Sequence, residues 1–252
     1  MKSTLVVWFF LQASSLFALY SGNPTAPSII EEGFFFCKEN VVAIKAGYQR
    51  DWVFNRGMKS IDEFSYLEDQ GVLTFNFFDR LELYGSVGAA SFDITDIPMR
   101  GVRNEYNTHD QFAWGLGLRG IIYAWENLSL GADVKYGRAQ PTLRYLTSNG
   151  VPTHPRSGSK LNFHEWQIGI GASYQVDIFY PYLTVKYSNA TARLKHLPPG
   201  FLEAARHFTM KNRRKFGLAL GCTLSNGSRF DATVEARLID EQAITLAGEV
   251  KF

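Results

Sequence analysis

The feature that most constrains this chain is a strict two-residue alternation that continues to its last residue. Phe230, Ala232, Val234, Ala236 and Leu238 alternate with Asp231, Thr233, Glu235 and Arg237. Ile244, Leu246, Gly248, Val250 and Phe252 then alternate with Thr245, Ala247, Glu249 and Lys251. Successive side chains of an extended strand point to opposite faces. Each segment therefore reads as a strand with one apolar and one charged face.

The pattern recurs upstream. Trp166, Ile168, Ile170, Ala172, Tyr174 and Val176 oppose Glu165, Gln167, Gly169, Gly171, Ser173 and Gln175. Leu128, Leu130, Ala132, Val134 and Tyr136 oppose Ser129, Gly131, Asp133, Lys135 and Gly137. Phe112, Trp114, Leu116, Leu118 and Ile122 oppose Ala113, Gly115, Gly117 and Arg119, and Phe216 to Leu224 behaves alike. Ten strands are expected, at 41–54, 60–78, 81–95, 109–124, 127–146, 160–176, 179–194, 207–224, 228–239 and 242–252. The first two are the least regular, because residues 60–70 are polar.

Tight turns at Asp79-Arg80, Glu126-Asn127, Asp177-Ile178 and Ser225-Asn226-Gly227 alternate with long links at 96–108, 147–159 and 195–206. Short periplasmic turns and longer external loops are the habit of outer-membrane barrels. An even strand number would place both termini at the periplasmic end.

Alternation alone does not tell inside from outside. Strands of about 11–19 residues exceed the five or six usual in soluble sheets and meet the 9–11 a bilayer needs. The polar face mixes glycine, alanine and serine with charges of both signs, as a confined lumen would. The composition holds 20 Phe, 12 Tyr and 5 Trp beside 22 Gly. Trp52, Trp114, Trp166, Tyr136 and Tyr187 fall on strands, where interfacial girdles form. The expected fold class is all-β: a transmembrane antiparallel up-and-down β-barrel. Closure satisfies every backbone group, which an open sheet in lipid cannot do.

Other classes are excluded. With 46% hydrophobic residues and a net charge of +2, the chain is not disordered and has no large basic footprint for nucleic acid. Beyond the first 18 positions no apolar run is long enough for a membrane helix.

Residues 1–18 carry Lys2, a short apolar stretch from Leu5 to Leu11, and end on Leu16-Phe17-Ala18. They read as a secretory signal peptide. Residues 19–40, irregular and holding Pro24 and Pro27, are expected as an N-terminal periplasmic segment, and 41–252 as the barrel. Export leaves Cys37 and Cys222 in an oxidising compartment, where one disulfide is allowed by count.

Charged residues on the inward register are the candidate pore lining. They are Lys45, Glu82, Arg119, Asp133, Lys135, Glu165, Lys186, Asp231, Glu235, Arg237, Glu249 and Lys251. Six basic against six acidic residues imply no strong ion selectivity. Ten strands stand near the width at which side chains fill a barrel.

No His-Glu-x-x-His, Cys-x-x-Cys or Gly-x-Ser-x-Gly pattern occurs, so neither cofactor nor metal is expected. His164 and Glu165 are adjacent on a strand and point apart. His109-Asp110, beside an external link, is the one pair left for a barrel enzyme.

Several blocks resemble the chlamydial major outer membrane porin family. They are Met210 to Gly221, Val234 to Glu241, Val250 to Phe252, Lys160 to Gln167, Pro181 to Thr191, Phe78 to Tyr84 and Trp114 to Gln140. The start at Leu19, with Gly22-Asn23-Pro24 and Pro27, is similar too. The His164-Glu165-Trp166 and Arg237-Leu238-Ile239-Asp240-Glu241 blocks are the most specific. The resemblance implies an outer-membrane barrel with porin activity and an envelope role. This chain is shorter than the main family members and has two cysteines where they are cysteine-rich, which bears on pore size, trimerisation and cross-linking.

The expected function is passive diffusion of small hydrophilic solutes or ions through a narrow pore, without enzyme activity. The alternative is a non-conducting structural or surface-binding, adhesin-like barrel. Expected partners are outer-membrane lipid, the solutes, and the barrel-assembly machinery through Phe252. Homo-oligomers are left open.

Overall fold

A computed structural model describes residues 20, 22–26, 42–99, 101–198, 201, 207–226 and 229–252. The expected signal peptide and Cys37 lie outside them. Ten strands close into an antiparallel barrel. In chain order the strands are β1 (Val42–Arg56), β2 (Glu63–Phe77), β3 (Leu81–Met99), β4 (Val102–Thr108), β5 (Gln111–Trp125), β6 (Leu128–Ala139), β7 (Leu143–Ser148), β8 (Val151–Thr153), β9 (Lys160–Tyr174), β10 (Phe179–Lys195), β11 (His207–Lys211), β12 (Phe216–Ser225), β13 (Phe230–Leu238) and β14 (Glu241–Lys251). The wall runs β1-β2-β3-β5-β6-β9-β10-β12-β13-β14, and β14 returns to β1 with Lys45 opposite Lys251. Strands β4, β7, β8 and β11 extend it beyond the rim on the long-link side.

The tight turns use αL residues. Phe78 and Asp79, Glu126 and Asp177 have φ between 49° and 55°, which matches the twist of flanking strands. The polar stretch is strand from Glu63 onward: Phe64, Tyr66, Glu68 and Gln70 face inward and are buried.

Three expectations about extent are corrected. The strand expected over 127–146 ends at Ala139, because Pro141 has no N–H for the ladder; the chain resumes as β7 on β4. The link expected over 96–108 contains β4, which folds back on β3. The strand expected over 207–224 is broken at the Arg213-Arg214-Lys215 run, where alternation fails. Asn212 holds the break: its Nδ2 donates to the Ser188 and Arg214 carbonyls at 2.9 and 2.8 Å.

The apolar face is outside. Ile170, Val185 and Val234 are 61%, 54% and 52% exposed, as a lipid-facing belt requires. Trp114 packs on Tyr136, Trp166 on Tyr187, and Tyr187 on Phe216, giving an aromatic row towards the long-link rim. Tyr123, Trp125, Tyr174 and Phe179 form its counterpart at the tight-turn end. Cys222 lies on this outward face, between Leu220 and Leu224.

Candidate functional site

The lumen is the candidate site. All twelve candidate pore-lining residues project into it, and eleven of them are buried, with Glu249 half-buried. The sequence reading missed six more buried charged groups on the inward side: Asp51, Arg56, Glu68, Asp96, Asp240 and Glu241. Asp51 shares its register with Lys45, Glu241 with Glu249, and Glu68 with Gln70, so alternation could have found all three. Arg56 turns inward only because β1 bulges between Val53 and Asn55. Asp240 sits in the tight β13–β14 turn. These additions are five acids and one base, so the expected six-to-six balance is corrected to an acidic excess among the described residues.

Three layers fill the lumen. At the tight-turn end, Lys45 bonds Glu82 at 2.5 Å, Arg119 reaches Glu82 at 3.5 Å, Lys135 lies 3.4 Å from Asp133, and Lys251 lies 3.3 Å from Asp79. Threaded among them are Tyr20 and residues 22–26. The Gly22 amide donates to Glu235 at 2.9 Å, Asn23 donates to Thr223 at 3.4 Å, and Lys45 donates to the Ala26 carbonyl at 3.1 Å. Lys135 donates to the Tyr20 carbonyl and lies 5.2 Å from the Tyr20 ring centre. This corrects the expected periplasmic placement for these residues: their polar groups find partners inside the barrel.

Inward glycines make the room. A Cβ on Gly131 would run into the Pro24 carbonyl, and one on Gly171 would come within 2.8 Å of the Pro24 ring. Gly117 and Gly221 likewise stand against the Tyr84 and Tyr182 rings.

The middle layer is a single ionic network. Arg237 holds both Asp51 oxygens at 2.5 and 2.6 Å, and Glu241 at 2.9 Å. Lys186 bridges Glu241 and Asp240, the latter at 3.2 Å. Arg56 donates two hydrogen bonds to Glu165, at 2.6 and 2.5 Å, and one to Glu241 at 3.0 Å. Buried charges persist only when paired in this way.

The third layer, towards the long links, is apolar. Phe64, Tyr66, Phe92 and Phe163 pack with ring centres 5.3–6.0 Å apart. Leu161, Leu194, Leu146 and Met210 surround them. Cavities beside Tyr20 measure about 20 Å³ each, room for one water.

The other candidates stand elsewhere. His109 and Asp110 are exposed on the link between β4 and β5. His164 faces outward and Glu165 inward, on opposite sides of the wall.

The fold and this lumen define a transmembrane β-barrel with a polar, side-chain-filled interior. The family model described as Chlamydia major outer membrane protein matches residues 148–196 and 203–252. The major outer membrane porin of Chlamydia abortus is 22% identical over 385 aligned positions, covering 100% of this chain and 99% of the relative. That of Chlamydia trachomatis serovar F is 22% identical over 391 positions, again covering 100% and 99%. These alignments are longer than the 252-residue chain, so the relatives carry segments it lacks. Among solved structures, the translocator domain of the autotransporter NalP from Neisseria meningitidis is 11% identical, with TM-score 0.44 and coverage of 84% and 87%. An outer membrane channel from Pseudomonas putida F1 is 7% identical, with TM-score 0.44 and coverage of 93% and 100%. The protein is an outer-membrane β-barrel, and over its whole length it is similar to the chlamydial major outer membrane porins.

Proposed function

We propose that the protein is a small outer-membrane porin, closed at rest, which passes ions or small hydrophilic solutes when its luminal network rearranges. The observation that carries this reading is the file of paired charges along the barrel axis, from Lys251 and Asp79 to Arg56 and Glu165. A barrel with only a structural task has no need of it. Buried ion pairs are often matched or exceeded in stability by apolar side chains of similar volume. A polar interior is what a permeant ion needs. The named activity of the relatives supports the same reading. The acidic excess makes cations the favoured species.

The apolar layer of Phe64, Phe92 and Phe163 favours the second reading, a non-conducting barrel that works through its outer surface. Purified protein in planar bilayers separates the two. The porin reading expects small, infrequent conductance steps, and a reversal potential in a KCl gradient with the sign of cation preference. No steps over a wide voltage range would leave the non-conducting barrel.

A further inference from the structure

We infer that the outward face of β6, β9, β10 and β11, just beyond the aromatic row, binds the phosphorylated headgroup of an outer-leaflet lipid. The strand registers assemble the site. Arg138 stands directly opposite His164, Lys160 directly opposite Lys195, and Arg193 opposite Asn162 between them. Lys211 stands opposite Thr191 at the edge of the same patch.

Each of these side chains is on the outward register. Their inward neighbours Ala139, Leu161, Phe163, Glu165, Ala192 and Leu194 are all buried. Like charges directly opposite each other across strands are destabilising. Among the described residues, none of Arg138, Lys160, Arg193, Lys195 and Lys211 has an acidic partner within ion-pair distance. No acidic residue occupies the outward register of these four strands. Arg193 instead hydrogen-bonds the Thr209 hydroxyl at 3.0 Å.

The opposite sector differs. There Arg50 faces Asp69 at 3.6 Å, and Glu63 and Asp93 are exposed on β2 and β3. The cations are therefore gathered on one side and left unneutralised by the protein.

The height of the patch identifies the partner. Arg138 is two residues past Tyr136, and His164 is two before Trp166, each about 7 Å along its strand from the ring row. Tyrosine and tryptophan rows mark the headgroup level of a bilayer. The patch thus lies at and just above that level, on the side of the long links, which face outward in such barrels. A lipid with more than one phosphate can span Arg138, His164 and Arg193 while its acyl chains lie along Val134, Ile168 and Ile170. Free phosphate would gain the charge contacts without the apolar ones.

The test uses the folded full chain in a neutral detergent, with diphosphoryl lipid A as probe and binding followed by native mass spectrometry. The wild type is expected to retain the probe in preference to phosphatidylcholine, with affinity falling as salt rises. Replacing Arg138, Arg193, Lys160 and Lys195 together by Gln is expected to weaken binding by at least about tenfold. Arg50→Gln, in the opposite sector, is expected to leave it unchanged, and gel mobility checks that each variant is folded. Equal binding by the fourfold variant and the wild type overturns the inference. So does displacement of the lipid by millimolar inorganic phosphate, which would reduce the patch to a simple anion site.

Discussion

The strongest test of a closed lumen is Arg56→Met. Arg56 is fully buried and donates to Glu165 at 2.6 and 2.5 Å, to Glu241 at 3.0 Å and to Ser188 at 3.2 Å. Its removal strands the two carboxylates unequally. Glu241 keeps Lys186 and Arg237. Glu165 keeps no cation within ion-pair distance among the described residues. Breaking a buried pair from one side costs about 3–5 kcal/mol, because the remaining charge is neither solvated nor paired.

Methionine fills much of the volume, so the loss should be electrostatic rather than a cavity effect. Adding Glu165→Gln removes the stranded charge and should restore at least half of the stability, a coupling of about 2 kcal/mol or more. Urea unfolding in lipid vesicles, followed by tryptophan fluorescence, measures both variants from the midpoint shift at constant slope. A loss below about 1 kcal/mol for Arg56→Met is the range of solvated surface pairs. That result would mean water reaches Glu165, and it would refute the closed lumen.

Two further outcomes follow from the same geometry. Gly131→Ala places a methyl group against the Pro24 carbonyl, so it should dislodge residues 22–26 and open them to added protease, with the barrel still folded by gel mobility. Val234→Arg puts a charge on an outward position that is 52% exposed in the lipid belt. It should cost about 2–4 kcal/mol and lower the yield of assembled barrel in vesicles; normal yield would mean that the apolar face is not the lipid face.

The wall of the barrel was legible because its physics is local. Period-two alternation assigns each face, and its interruption by polar residues at Asp79-Arg80 and Glu126-Asn127 places the tight turns to within a residue. Even the polar stretch holding Glu68 obeys that rule once the lumen is polar. What was not legible depends on partners distant in sequence. Arg56 faces inward only through a bulge, and a bulge is a property of the β1–β14 pair. The burial of residues 22–26 depends on Thr223, Glu235 and Lys45, all distant in the chain, and on glycines whose missing side chains leave the space. Strand periodicity carries no information about a segment that is not a strand. The apolar layer was hidden for a related reason: Phe64, Phe92 and Phe163 sit on the inward register, where the alternation elsewhere placed polar groups.

That layer sets the order of barriers across the lumen. An ion entering from the long-link side meets Phe64, Phe92 and Phe163 before it meets any network charge, whereas one entering from the tight turns meets Tyr20 and residues 22–26 first. The two closures lie in sequence along one path, so the tighter sets the current. Phe92 is fully buried, with ring centres 5.3 Å from both Tyr66 and Phe163. Phe92→Ala should cost about 3–5 kcal/mol and leave a void in the outer closure. If that closure is the tighter one, Phe92→Ala alone raises conductance and Gly131→Ala alone does not. If the inner closure is tighter, the reverse holds, and if they are matched only the double variant conducts more. A double variant that is folded yet no more conductive than the wild type would show that the luminal charges line no permeation path, and the porin reading would fall with it.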